Sequence, residues 1–138
     1  MSDKPLVELV EHSEGYHEVV FHDGSRLAVE AYMTILESMM IKHVEANDTA
    51  RVLINLSEGK VPSITLMGQN VRRLLHEHRN ERERLHLRGA FLASSTDAMI
   101  LSLSQSFIAL MPIDANMHTF TSEHRADAIA WLLEDSDG

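Results

Sequence analysis

The chain has 138 residues, a length that fits one domain and is enough to bury a hydrophobic core. Hydrophobic residues make up 44% of it and charged residues 24%, the balance of a folded globular protein rather than of a disordered one. Because the sequence has no cysteine, disulfides and thiolate metal sites are excluded, and a net charge of −9 argues against nucleic acid as the main partner.

Neither a secretory signal nor a membrane span is expected. The opening stretch, MSDKPLVELVEHSEG, lacks the basic start and long apolar run of a signal peptide. No apolar run in the sequence reaches the length that a bilayer requires. Together with the absence of cysteine, these features predict a cytoplasmic protein without stable membrane insertion.

The first predicted element is a β-hairpin followed by a helix. The stretches LVELVEH and YHEVVFH are rich in valine and alternate roughly between apolar and polar residues, with SEG between them. DGS then ends the second strand, with Ser25 as the expected helix cap, and ANDTA ends the helix. The stripe that the helix is expected to bury consists of Ala28, Ala31, Tyr32, Ile35, Leu36, Met39, Met40 and His43.

Two buried strands and a second helix follow. RVLINLS is a nearly continuous apolar run, which predicts a central strand covered on both faces. A helical stripe then extends over residues 67–78. LRGAFLA predicts another buried strand, in which Gly89 allows the close approach of a neighbouring element.

The last part of the chain predicts helix, strand and helix. SSTDAM supplies a cap, an apolar stripe covers residues 99–111, and Pro112 ends that helix. MHTFT is a short strand, and Ser122 is expected to cap the final helix. The order β-β-α-β-α-β-α-β-α predicts one α/β domain over residues 1–138. Its mixed sheet has about five strands, an N-terminal hairpin plus parallel strands, with about four helices.

Three stretches carry a resemblance to a known family: ARVLINLSEG, HLRGAFLASS and MHTFTSEHRADAIAWLLED. They resemble the STAS domain family, the sulfate transporter and anti-sigma factor antagonist fold, and look closest to its SpoIIAA-like branch of small bacterial proteins. In that family an aromatic strand end precedes a short acidic helix with an Ala-x-x-Trp-Leu element, matched here by Ala128, Trp131 and Leu132. The resemblance covers nearly the whole chain, and its motifs are mostly structural, so it implies the fold rather than an activity. Our leading hypothesis is a non-enzymatic interaction or regulatory module of STAS-like fold.

The regulatory serine of that family is matched only in part. In anti-sigma factor antagonists an Asp-Ser-Ser-Gly-like run begins the helix after the central strand, and a partner kinase phosphorylates a serine there. In VPSITLMG, Ser63 falls at the acid, Ile64 and Thr65 at the serines, and Leu66 at the glycine. A one-residue shift brings Ser63 or Thr65 into register, but the Asp is still missing. We therefore expect no phosphorylation-controlled sigma regulator.

The polar loops after the third and fourth strands are the predicted ligand or partner site. The crevice of an open α/β sheet lies outside the carboxyl ends of its strands, and each loop leads into a helix N-terminus that favours an anion. In the simpler interpretation, Ser63, Ser95 or Thr96 only caps its helix. The candidate residues are Ser57, Glu58, Ser63, Thr65, Ser94, Ser95 and Thr96.

Catalytic, metal and cofactor sites are not predicted. His76 and His78 face different directions on a helix, and the other close pair, His17 and His22, points to opposite faces of a strand. His43 is expected to be a satisfied core or boundary histidine. The sequence has no zinc-hydrolase motif, no nucleophile elbow and no phosphate-binding loop. We expect neither enzymatic activity nor a cofactor.

The helix AMILSLSQSFIALM is apolar on most sides and must therefore be covered on most sides. One interpretation is a homodimer formed through this helix. The alternative is a small-ligand carrier similar to CRAL–TRIO lipid-transfer domains, which requires a cavity between the helices at residues 31–40 and 99–111. The interface candidates are Met99, Leu103, Phe107 and Met111.

Charge is distributed unevenly along the chain. Residues 72–88 contain six Arg and three Glu, a balance of +3, which leaves −12 for the other residues. The simpler interpretation is a solvated helix with interleaved charges. The alternative is a docking surface for an acidic protein partner, whose identity the sequence does not give.

Overall fold

A computed structural model describes residues 5–57, 61–95, 97 and 113–134. The strands are β1 (Val7–His12), β2 (Tyr16–Phe21), β3 (Thr49–Asn55), β4 (His86–Ala93) and β5 (Asp114–Thr121). The helices of the described residues are α1 (Arg26–Ala46), α2 (Ile64–Glu77) and α3 (Arg125–Leu132), with 3-10 turns at Arg82–Arg84 and Ser122–His124. No helix in this part of the chain combines the length and the hydropathy needed to cross a bilayer.

The five strands form one mixed sheet in the order β1-β2-β3-β4-β5. β1 pairs antiparallel with β2, and β2, β3, β4 and β5 are parallel to one another. This confirms the predicted α/β class, the N-terminal hairpin and the five-stranded mixed sheet. β3 has a parallel neighbour on each side, as its continuous apolar run predicts.

A three-residue turn joins β1 and β2. Gly15 has a φ of +108°, a conformation that side-chain-bearing residues rarely adopt. Its N–H donates to the carbonyl of His12 at 3.1 Å, which closes the turn. Glycine at the end of the SEG turn is therefore required by the backbone path of the hairpin.

The sheet has a different cover on each face. Val19 and Ile54 point to the face that α1 covers, and α1 packs in turn against α2. Tyr16, three residues from Val19, and Leu53, one residue from Ile54, point to the opposite face and contact α3. Because successive side chains of a strand alternate between faces, each central strand supplies both cores.

Gly89 on β4 lies opposite Met117 on β5. A Cβ atom at Gly89 would lie 2.6 Å from the sulfur and from the terminal carbon of Met117. The predicted close approach at Gly89 is therefore confirmed, and Met117 on β5 is the group that makes it.

The ends of α1 and the start of α2 follow the predicted caps. The hydroxyl of Ser25 accepts the N–H of Ala28 at 3.3 Å, and Asn47 ends α1 in the left-handed conformation with a φ of 56°. The hydroxyl of Ser63 accepts the N–H of Leu66 at 3.2 Å.

Two expectations for the C-terminal part of the chain are wrong. β5 begins at Asp114 rather than at Met117, because residues 114–116 pair with the first residues of β4 despite their low strand propensity. Ser122 does not cap the last helix, since it lies in a 3-10 turn and α3 begins at Arg125 without a side-chain cap. The predicted helix over residues 99–111 lies outside the described residues, so three of about four predicted helices are described here.

Candidate functional site

The predicted loops lie together at one edge of the sheet. Ser57 follows β3 and Ser94 follows β4, and these two strands are parallel neighbours. The N–H of Leu56 donates to the carbonyl of Leu92 at 2.7 Å, which continues the pairing to the end of the strands. Among the described strands, however, the order contains no reversal, so these five strands form no topological switch point that would open a crevice at this edge.

Serine hydroxyls in both loops bond to helix N-termini. Ser63 caps α2, and the Ser94 hydroxyl accepts the N–H of Asp97 at 3.3 Å while donating to its carboxylate at 3.0 Å. Ser95 and Thr65 are exposed. Glu58 and Thr96 lie outside the described residues, as do the interface candidates Met99, Leu103, Phe107 and Met111.

Ser57 connects its loop to a buried polar network. Its hydroxyl and its backbone N–H both donate to the side-chain oxygen of Asn55, at 2.6 and 3.0 Å. The amide nitrogen of Asn55 donates in turn to the carboxylate of Glu18 at 3.0 Å. Asn55 and Glu18 are both buried, so the bond between them lies inside the protein, whereas Ser57 itself is exposed.

Glu18 on β2 is the centre of that network. The guanidinium of Arg125 donates to both of its carboxylate oxygens, at 2.6 and 2.9 Å, which is the two-pronged geometry that arginine forms with carboxylates. The His12 ring lies 2.8 Å from the same carboxylate and stacks on Tyr16 at 4.4 Å between ring centroids. We call Glu18, Arg125, Asn55, Ser57 and His12 the Glu18 cluster.

The electrostatics of the Glu18 cluster fix its charge state. Burial alone would raise the pKa of Glu18, but hydrogen bonds from Arg125, Asn55 and His12 outweigh it and lower the pKa to about 2. Burial raises the pKa of Tyr16, with Arg125 opposing the shift. A carboxylate with so low a pKa does not accept protons near neutral pH, so Glu18 acts as a fixed negative charge that binds α3 to the sheet.

Two further arginines hold the other end of α3. Arg51 donates to the carbonyl of Leu132 and, at 2.9 Å, to that of Glu134. Arg88 donates to the carbonyl of Trp131 at 2.9 Å and stacks on the Trp131 ring at 3.9 Å. These bonds satisfy carbonyls at the C-terminus of α3, where positive charge is favourable.

Sequence reasoning did not identify the Glu18 cluster. The sequence contained one indication of it: Glu18 is an acidic residue inside the valine-rich stretch YHEVVF. In the structure all six residues of that strand are buried. The partner was not recoverable from spacing, because Arg125 lies 107 residues further along the chain.

The outward face of α2 has a different character. Thr65, Gln69, Arg72, Arg73 and His76 are all exposed along it. The helix ends at Glu77, and the chain continues through a turn into the 3-10 segment, which adds further arginines. We call Arg72, Arg73, Arg79, Arg82 and Arg84 the arginine surface.

The arginine surface has no carboxylate partner among the described residues. Arg73 donates to the Asn70 side chain at 3.1 Å and Arg79 to the His76 carbonyl at 3.4 Å, but none of the five forms an ion pair there. The three glutamates interleaved in this segment, Glu77, Glu81 and Glu83, form no ion pair with these arginines in the described part of the chain. The sixth arginine of the segment, Arg88, is buried under α3.

An apolar cavity of about 30 Å³ lies between α1 and α2. Leu36 and Met40 of α1 and Leu74 of α2 contribute to its wall. This space is close to that of one water molecule and far below the size of a lipid. The described residues contain no group of three or more metal-ligating side chains placed to hold an ion.

No family model matches the chain, and neither a curated protein nor a solved structure matches it. The resemblance to STAS domains therefore rests on the three sequence stretches alone.

Proposed function

We propose that the chain is a non-enzymatic interaction module of STAS-like fold that binds an acidic protein surface through α2 and the arginine surface. The observation that carries the proposal is the contrast among the arginines. Arg51, Arg88 and Arg125 are committed to internal bonds with α3 or the sheet, whereas the five of the arginine surface have no internal carboxylate among the described residues.

Arginine chemistry favours a carboxylate-rich partner. The guanidinium presents several N–H donors in a rigid plane that matches a carboxylate, and Arg125 with Glu18 is an internal example in this chain. Nucleic acid is the weaker candidate, because a net charge of −9 repels a long polyanion and three glutamates lie among these arginines. A mixed basic surface of this kind suits a protein partner.

The STAS-like resemblance supports α2 as the contact element. In that family a regulatory serine lies at the start of the corresponding helix, the region of Ser63 and Thr65 here. The Ser63 hydroxyl already serves as the N-cap, whereas Thr65 is exposed on the first turn. A partner that approaches α2 would therefore meet Thr65 and the arginine surface on one side of the helix. The loop candidates Ser57, Ser94 and Ser95 follow the carboxyl ends of β3 and β4, on the side of the sheet where α2 begins, and their part in binding stays a prediction from the sequence.

The alternative proposal is a carrier of a small lipophilic or anionic ligand. The cavity that this alternative requires, between residues 31–40 and 99–111, involves a range outside the described residues. The cavity between α1 and α2 does not supply it, because a volume of about 30 Å³ is far too small for a lipid. A homodimer through the predicted helix at residues 99–111, a bacterial source and a cytoplasmic location remain parts of the proposal that rest on the sequence.

A charge-reversal experiment tests the proposed docking surface. We expect the wild-type protein to bind a fluorescent synthetic peptide of Glu, Asp and Ala, with an affinity that falls as salt is added. Replacing Arg72 and Arg73 together with Glu should weaken binding about tenfold or more, because two charge-assisted contacts become repulsive.

The control is Arg26→Glu, which reverses one exposed arginine on α1, paired with Glu30 and outside the arginine surface, and it is compared with Arg72→Glu alone as well as with the double variant. We expect this variant to bind the peptide nearly as well as the wild type. Failure of the wild type to bind, or equal losses in both variants, would contradict the proposal.

A further inference from the structure

A pair of histidines lies on the sheet face opposite the Glu18 cluster. His17 on β2 is 6% exposed, and His43 lies near the end of α1. Their Nε2 atoms are 2.7 Å apart, and the rings meet edge to face at 76°. We call His17 and His43 the histidine pair.

Each ring has a carboxylate at its other nitrogen. Asp48, in the turn after α1, lies 2.5 Å from Nδ1 of His43. Glu11 on β1 lies 2.6 Å from Nδ1 of His17 but off the direction of an N–H bond, so that buried nitrogen makes no directed hydrogen bond. Lys42 of α1 also acts on His17, and the β3 residue opposite it is apolar Val52.

The short contact between the rings limits how many protons the histidine pair can hold. Two nitrogens 2.7 Å apart accommodate one proton between them, because a second N–H would point directly at the first. A further proton can be placed on each outer nitrogen, where a carboxylate faces it. Once the Nδ1 atoms of both rings carry a proton, the next proton must enter between the two Nε2 atoms. Two N–H groups then point at each other, and their repulsion separates the rings.

We propose that the histidine pair is an acid-sensitive contact between β2 and the end of α1, closed by one shared proton and opened when both rings become imidazolium. Opening it releases the last turns of α1 from the sheet. Met40 and Val44 in those turns pack against Leu74 and Leu75 of α2, so the change reaches a second helix.

The direction of the pKa shift of His17 agrees with a contact that is lost in acid. Burial lowers the pKa of His17 below its ordinary 6.5, Glu11 opposes that shift, and the neighbouring charges of His43 and Lys42 add to it. A histidine whose folded-state pKa is lowered binds fewer protons folded than unfolded. The stability that it supports is therefore complete above pH 6.5 and decreases as the pH falls below that value.

The geometry favours a shared proton over a metal ion. Zinc sites in proteins use three or four protein ligands. The described residues supply no third ligand beside these two nitrogens. The distance of 2.7 Å is also that of a hydrogen bond.

The test is nuclear magnetic resonance of the ¹⁵N-labelled full chain across pH. At neutral pH we expect a scalar coupling between the Nε2 atoms of His17 and His43, carried by the shared proton. The coupling should disappear as the pH falls below 6.5, the ordinary pKa of histidine, because a second proton between the two Nε2 atoms forces the rings apart. Amide exchange in the last turn of α1 should rise over the same pH range.

Exposed His76 is the internal control, and its ring nitrogens should show no scalar coupling to another ring at any pH. Asp48→Asn removes the carboxylate behind His43 and should move the loss of coupling to lower pH, because the imidazolium of His43 becomes less stable. Absence of the coupling between His17 and His43 at neutral pH, or its persistence unchanged in acid, would overturn the proposal. Neither outcome depends on whether α2 binds a partner.

Discussion

Glu18 is a charge that the fold tolerates only because its bonds are complete. A buried carboxylate without partners would be strongly destabilising. Here Arg125 contacts both carboxylate oxygens, His12 contacts one of them and Asn55 the other, and the carboxylate stays ionised. The ion pair between Glu18 and Arg125 holds the first residue of α3 on the sheet, and α3 has no side-chain cap there.

Glu18→Gln is expected to lower the free energy of unfolding by about 1.5–3 kcal/mol, the range for hydrogen bonds to a charged group. The amide keeps the size of the side chain but turns an N–H group toward donors that need an acceptor. Because the pKa of Glu18 is lowered from 4.5 to about 2, its ionised form stabilises the fold above pH 4.5, and that contribution is lost as the pH falls toward 2. Denaturant titrations of both proteins across this range measure the effect.

The control is Glu8→Gln on β1, where the exposed carboxylate contacts His22 at 3.1 Å. Its cost should stay below about 1 kcal/mol at every pH, as for surface ion pairs in general. A Glu18 effect no larger than this, or one that stays constant from pH 4.5 to 2, would contradict the role given to Glu18.

At the scale of elements, α3 is a helix whose stability depends on contacts with the sheet and with arginines from other strands and from its own first residue. It has eight residues and no side-chain cap at its N-terminus. Helices this short are marginal in isolation. Arg125 fixes the start of α3 on the sheet, and Arg51 and Arg88 bind carbonyls at its end. Packing of Ala128 and Leu132 against the sheet supplies the rest.

The start of α2 depends instead on a local bond. Ser63→Ala removes the hydroxyl that accepts the N–H of Leu66 and should lower the free energy of unfolding by about 0.5–2 kcal/mol. Denaturant unfolding of the purified variant is the measurement. Ser13→Ala, which removes an exposed hydroxyl bonded to Glu14 in the hairpin turn, should be nearly neutral. Equal effects in the two variants would show that Ser63 is not the cap.

At the scale of the whole molecule, the two faces of the sheet are covered unequally. α1 and α2 cover one face, while α3 alone contacts the other among the described residues. The arginine surface, the histidine pair and the Glu18 cluster thus occupy separate parts of one sheet-based scaffold. Binding at α2 and proton uptake by the histidine pair can be measured independently.

The proposed homodimer also belongs to this scale. We expect native mass spectra of the gently purified protein to give a dimer without an adduct, and Phe107→Asp to give a monomer, because a charge enters a surface expected to be buried. Gln105→Asp on the same predicted helix is the control and should leave the mass unchanged. A lipid adduct would favour the carrier alternative, and a monomeric wild type would contradict the dimer.

The sequence by itself determined the α/β class, the hairpin, the central position of β3 and the caps at Ser25 and Ser63. These features depend on periodicity, turn residues and hydrogen bonds between residues close in the chain, all of which a sequence displays directly. The loop serines Ser57 and Ser94 were also assigned to one edge of the sheet, because parallel neighbours end on the same side. Their role in binding stays a prediction.

Only the tertiary structure decided the Glu18 cluster, the histidine pair and the start of α3. Each depends on side chains from separate elements: Arg125 approaches Glu18 across 107 residues, and His43 approaches His17 across 26. No local pattern specifies such a pair, because its energy arises only after the sheet has brought the two elements together. Pairing with β4 likewise extended β5 beyond its own propensity, since hydrogen bonds to a neighbouring strand outweigh a local preference.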